Sequence, residues 1–173
     1  MNEQRMRVRP MNKSDLETVR GWRNHKSVRA YMYNQHEIGE EEHRAWFERI
    51  SRDSYRHPLV FEIGKDKAGF VQFSVLDARA RRAEWGFYLA PTAPRGSGKK
   101  LGACALSYAF NQLSLHKVCG EALAFNERSI CFHERLGFRR EALFRDHYFD
   151  GEKYHDVIGF GLLADDWFKQ AGT

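Results

Sequence analysis

Long apolar runs are what this 173-residue chain most plainly lacks: none approaches the roughly 18 consecutive apolar residues that a membrane-spanning helix needs. Its opening segment, MNEQRMRVRP, carries charge with no apolar run behind it, so neither a secretory signal nor a membrane partner is expected. Cysteine is scarce. Cys104, Cys119 and Cys131 are odd in number, widely spaced and free of any CxxC pair, which reads as reduced thiols in a cytoplasmic protein. The eight histidines include no HExxH or other close ligand spacing, so no metal is expected. There are no internal repeats, low-complexity tracts or linkers, which leaves a single domain over 1–173. Aromatic residues are 14% and hydrophobic residues 42%, enough for one sizeable core.

Net charge is +5. Scattered charge is ordinarily a solvated face, but here it gathers at Arg79, Arg81, Arg82 and again at Arg95, Lys99, Lys100. No recognition-helix or RNA-binding motif accompanies it, so no nucleic-acid partner is expected. Residues 5–10 alternate as a first strand. Ser14-Asp15-Leu16-Glu17 has the spacing of a capping box, with Ser14 as the cap of a helix that ends at Arg23-Asn24-His25. A second helix opens on the acidic run Gly39 to Glu42 and turns Trp46, Phe47 and Ile50 inward. Residues 57–64, 68–76 and 84–89 are rich in β-branched and aromatic side chains and read as three strands. A helix through about Leu115, a strand over 117–123, a helix over 126–136 closed by Gly137, and two strands around the Asp150-Gly151 turn complete the order. That alternation is an α/β (α+β) fold with one mixed sheet.

PRGSGKKLG, residues 94–102, stands between a strand and a helix. Glycines let backbone approach an anion, and a helix N-terminus offers free N–H groups and a positive dipole end. A P-loop is excluded, since no Ser or Thr follows Lys99 or Lys100. A dinucleotide fingerprint lacks its third glycine, because Leu101 stands there. A phosphate cradle and a plain tight turn are left.

Arg95-Gly96-Ser97-Gly98 after a strand, followed by Asn126 and then by Glu134-Arg135-Leu136-Gly137-Phe138, resembles the GNAT acetyltransferase superfamily. The resemblance implies a mostly antiparallel seven-stranded sheet with about four helices, splayed at strands 4 and 5, and acetyl-CoA as cosubstrate. The pyrophosphate would lie on Arg95, Gly96, Ser97, Gly98, Lys99 and Lys100, although Lys100 stands where that family has a small residue. The pantetheine would meet Asn126 and the backbone of Phe87, Tyr88 and Leu89. Glu84 is implied as the general base; a surface glutamate paired with Arg81 or Arg82 is the plainer reading. His133 occupies the position of the family's tyrosine acid, with Tyr88 and Tyr148 as other phenols able to serve.

Trp22-Arg23-Asn24-His25, Val28-Arg29, Met32-Tyr33 and Glu42-His43 resemble more narrowly the PseH type. That implies acetylation of the 4-amino group of a UDP-linked 4-amino-4,6-dideoxy sugar on the route to pseudaminic acid and flagellin glycosylation. Arg23, Asn24, Tyr33, His43 and Gln72 would line the nucleotide-sugar site. Trp22 and Trp46 read as core. Two other readings remain. One is an enzyme acting on a polyamine or a protein N-terminus, against which the arginine-rich approach argues. The other is a non-catalytic module that holds acetyl-CoA. A homodimer through an exposed fifth or seventh strand is a further possible partner.

Overall fold

The computed structural model describes residues 5–171. Seven strands form one sheet: β1 (Met6–Pro10), β2 (Arg56–Ile63), β3 (Asp66–Asp77), β4 (Arg82–Leu89), β5 (Lys117–Leu123), β6 (Arg139–Phe149) and β7 (Tyr154–Leu163). They lie in the order β1-β2-β3-β4-β5-β7-β6. Every neighbouring pair is antiparallel except β4 and β5. Six α-helices accompany it: α1 (Leu16–Asn24), α2 (Lys26–Arg29), α3 (Glu40–Ile50), α4 (Ser97–Ser107), α5 (Glu127–Arg135) and α6 (Ala164–Ala171). The expected sheet and splay are present; α2, a single turn, and α6, with no strong cap signal, are the two helices the pattern does not announce.

Alternation along β3 and β4 sorts the sheet into two faces. Val71, Phe73, Trp85 and Phe87 face α4 and α5 in the larger core, with Leu101 and Leu106 fully buried beside them. Phe70 and Tyr88 face the other way, into a smaller core of Met11, Val19, Phe47 and Ile50 under α1 and α3. Trp22 and Trp46 pack against that smaller core, as expected. Each large side chain so buried contributes about 1.5–3 kcal/mol.

Two local expectations shift. The capping box is built by Asn12 and Asp15, not by Ser14 and Glu17. The Asn12 side chain accepts from the Ser14 N–H at 2.9 Å and Asp15 Oδ2 accepts from the Asn12 N–H at 2.9 Å, because a 3₁₀ turn at Lys13–Asp15 precedes α1. The helix after the glycine loop starts at Ser97, inside the loop, and ends in a widened π turn at Tyr108–Gln112 rather than at Leu115.

The feature that makes a site is where the sheet fails to close. β4 and β5 pair only at Arg82 with Lys117, Ala83 with Val118 and Glu84 with Cys119. Beyond Glu84, β4 keeps β3 on one side and has no strand on the other. Its alternate backbone groups there are left for something else to satisfy.

Candidate active site

The gap between β4 and β5 opens into a cleft of about 1590 Å³ that runs through the sheet. One wall is the glycine loop with α4 and α5. Gly96 caps α4 in the left-handed region at φ 86°, where a side chain would be strained. Gly98 is not there for want of room against protein: a Cβ would meet Phe132 at an ordinary 3.6 Å. Its bare backbone keeps the wall flat where a ligand would lie. Gly102, which the motif does not include, is the steric glycine; a Cβ there would stand 2.6 Å from the end of the Leu136 side chain, which would have to shift.

The loop residues suit a pyrophosphate. The first-turn N–H groups of α4 have no intrahelical partners. Ser97 Oγ is buried with no hydrogen-bond partner among the described residues. Arg95 and Lys99 line the cleft, and neither forms an ion pair there. Lys100 is exposed and lies outside the lining. Asn126 caps α5, its Oδ1 accepting from the Ser129 N–H at 3.1 Å, and borders the cleft with Phe87, Tyr88 and Leu89.

The other wall is the sheet face toward α1 to α3. β4 supplies Glu84, Gly86 and Tyr88; β3 supplies Phe70, Gln72 and Ser74 in register beside them. β5 adds Cys119 and Glu121, opposite Gly161 and Gly159 of β7. Glu84 is exposed to the cleft. It forms no ion pair with Arg81, which donates to the Ser114 carbonyl, or with Arg82. Glu121 is the residue that sequence reasoning missed. Its carboxylate accepts from Tyr33 Oη at 2.7 Å, and no cation pairs with it among the described residues. Only the β4–β5 register, which no pattern in the chain announces, brings it beside Glu84. Glu141 also borders this wall, already held by Lys117 at 2.6 Å.

Tyr33 belongs to the loop between α2 and α3. Its ring stacks on Tyr148 of β6 at 5.1 Å, and Tyr148 Oη donates to the Tyr33 carbonyl. Burial and the bond to Glu121 push its phenol pKa well above the ordinary value, so it stays protonated as a donor. Tyr88 is likewise raised by burial, and its ring stacks on Phe70.

Three residues expected at the site are occupied elsewhere. His133 is 1% exposed and surrounded by Trp85, Phe87, Phe132, Phe138 and Phe160. Its Nδ1 bonds the Ser129 carbonyl at 2.8 Å, and its Nε2 accepts from Trp85 Nε1 at 3.2 Å. Burial lowers its pKa, so the ring is neutral with both nitrogens committed and is not in the cleft lining. An imidazole is shorter than a phenol and ends inside the core, so the acid role expected for His133 does not fit this arrangement. Asn24 is spent on backbone: its amide donates to the Ile38 carbonyl at 2.9 Å and its oxygen accepts from the Ile38 N–H at 2.8 Å. His43 is 5% exposed, stacked on Trp46 at 4.9 Å and outside the cleft. Arg23 also lies outside the lining; one guanidinium nitrogen donates to the Asn34 carbonyl, while the other is buried beside Tyr88 with no partner. Of the acceptor-side residues, Tyr33 and Gln72 border the cleft.

Among the described residues no helix is long and apolar enough to cross a membrane, and no group of His, Cys, Asp or Glu is placed to hold a metal ion.

Residues 5–139 match the acetyltransferase (GNAT) domain family. The chain is 25% identical to a spermidine N(1)-acetyltransferase of Vibrio cholerae over 99% of both chains. It is 24% identical to the acetyltransferase PseH of Campylobacter jejuni over 74% of this chain and 79% of that one. In three dimensions it superposes on the spermidine N-acetyltransferase from Vibrio cholerae solved with CoA and spermine with a TM-score of 0.88. That match has 23% identity and covers 94% of this chain and 98% of the other.

Proposed function

We propose that this chain, which belongs to the GNAT acetyltransferase family, acetylates a primary amine of a small polycation of the polyamine class. That it is an acetyl-CoA-dependent N-acetyltransferase follows from the family and the relatives; the acceptor is the proposal. The observation that carries it is the pair Glu84 and Glu121: two carboxylates without cationic partners, facing one cleft across the opening in the sheet. Unpaired carboxylates side by side suit an ammonium-bearing ligand and repel an anionic one. The arginine-rich approach that argues against a polyamine in the sequence divides in the fold. Arg95 and Lys99 line the cofactor wall; at the acceptor face Arg56 donates to Ser74 Oγ and lies 3.9 Å from the Asp53 carboxylate, and Arg82 sits where β4 still pairs with β5.

In this reading acetyl-CoA supplies an activated acyl carbon. The loop residues orient its pyrophosphate, and unpaired backbone groups of β4 between Phe87 and Leu89 hold its carbonyl and pantetheine. Glu121, kept in place by Tyr33, draws the acceptor's charged end. Glu84, directly or through one water, takes the proton that the amine nitrogen sheds as it bonds to the acyl carbon, and the C–S bond breaks to release CoA thiolate.

A second reading, a nucleotide-linked amino sugar of the PseH type, is favoured by one observation: the unpartnered buried nitrogen of Arg23, which suits a phosphate or hydroxyl oxygen. The deciding experiment is thiol release from acetyl-CoA with spermidine, a UDP-4-amino-4,6-dideoxy sugar and a peptide N-terminus. Rapid release with spermidine is expected. Release with the UDP sugar alone would overturn the polyamine reading.

A further inference from the structure

Strand β6 does not run evenly beside β7. Phe144 pairs with Val157 and Tyr148 with His155, so four steps along β6 answer two along β7, and Arg145, Asp146 and His147 stand opposite Asp156 alone. A bulge of this kind re-aims the side chains that follow it. On an even ladder Tyr148 would fall opposite residue 153; the bulge draws it two residues, roughly 7 Å, back along the sheet toward the cleft. The bulge has a latch. Asp146 takes the left-handed region at φ 48°, uncommon for a residue with a side chain, and its N–H donates to Asp156 Oδ1 at 2.9 Å. The Asp156 carbonyl accepts from the Ala124 N–H at 2.9 Å, which ties this point of β7 to the end of β5.

Drawn in this far, Tyr148 meets the 30–39 loop between α2 and α3. Its ring stacks on Tyr33 at 5.1 Å and on His155 at 6.1 Å. Its Oη is committed twice, donating to the Tyr33 carbonyl and accepting from Gln35 Nε2, each at 3.3 Å, and Tyr148 does not line the cleft. That placement does not suit an acid for the thiolate. What Tyr148 holds is Tyr33, whose own Oη donates to Glu121 at 2.7 Å. Arg23 and Asn24 fix the same loop from α1, at Asn34 and Ile38. We propose that the β6 bulge, latched by Asp156, makes Tyr148 a positioning residue that seats the 30–39 loop, so that Tyr33 holds the Glu121 carboxylate toward the acceptor amine. The proposal rests on Glu121 as an acceptor contact, as in the reading above, and not on which amine is acetylated.

Steady-state kinetics and hydrogen exchange on the full chain test it together. Tyr148→Ala should raise the acceptor KM about 5-fold, with kcat and the KM for acetyl-CoA unchanged, and should add nothing in a Glu121→Gln background. Tyr148→Phe keeps the stack and should lose less. Asp156→Ala should act like Tyr148→Ala, and Asp156→Asn, which keeps an acceptor for the Asp146 N–H, should recover most of the loss. Amide exchange over 31–38, read with no acceptor present, should quicken in Tyr148→Ala and in Asp156→Ala. The acceptor is spermidine, or the UDP sugar if the unaltered protein acetylates only that, so a failed polyamine reading shows in the unaltered protein and does not touch these comparisons. Exchange over 31–38 that stayed at the unaltered rate would overturn the proposal, as would an acceptor KM that did not move. So would a fall in kcat with a rise in both KM values, the mark of a general loss of structure.

Discussion

The molecule holds two sets of acidic side chains in opposite circumstances. At the β1 end, Asp15 is fully buried and saturated: Arg9 donates to it twice, at 2.7 and 2.9 Å, Lys67 lies 2.8 Å away, and the Asn12 N–H completes the set. Glu62 beside it takes Arg7 and Arg9. At the β4–β5 opening, Glu84 and Glu121 face the cleft with no cation between them. The first set ties strands and the first helix together. The second is left unneutralised where a ligand can enter, and an unmet charge in a cleft marks a functional site more reliably than a satisfied one.

Replacements at the two sets should fail in different assays. Asp15→Asn leaves Arg9 and Lys67 short of their counter-charge and should cost about 3–5 kcal/mol of stability, visible as a clear fall in Tm, with the KM for acetyl-CoA unchanged at low temperature. A KM that moved with it would break the comparison. Glu84→Gln should do the reverse: kcat/KM down by about 100-fold with Tm unchanged. Glu121→Gln should raise the acceptor KM by about 10-fold, with Tyr33→Phe moving it the same way by less, because the phenol only orients the carboxylate.

The pH dependence of stability sharpens the contrast with the smallest effect. Burial works to raise the Asp15 carboxyl pKa, but the bonds from Arg9, Lys67 and Asn12 outweigh it and hold it well below the usual carboxylate range. A depressed carboxylate contributes stability that is complete above its unfolded value, about 4, and is lost as pH falls below it. His133, His43 and His57 are all lowered by burial, so the unfolded chain binds protons first and stability begins to fall earlier, below about 6.5. Denaturant titrations across pH should therefore show two successive losses. His133→Gln should reduce the first without shifting the pH profile of kcat; a shifted profile would return His133 to the chemistry.

Much of the fold was legible because its causes are local. β5 falls on the predicted residues 117–123, and the Asp150-Gly151 turn and the Gly137 helix stop sit where backbone freedom is required, Gly137 at φ 91° and Gly151 at φ 103°. The glycine loop was legible for the same reason: its strand, bare backbone and helix start are contiguous. The acceptor wall was not. His133 stands seven residues after Asn126 and Glu121 five before it, and neither position says which way a side chain faces. His133 follows the family's spacing yet ends in the core, and Glu121 follows no motif yet ends in the cleft.

The sequence by itself determined the order of the strands and of four of the helices, the family, and the glycine-bearing turn between a strand and a helix, since each depends on residues adjacent in the chain. Only the tertiary structure decided where β4 parts from β5, which carboxylates then share a cleft, and which cations are already spent. Charge is a pairwise property, and whether Glu84 or Asp15 is neutralised depends on partners that the chain brings from tens of residues away.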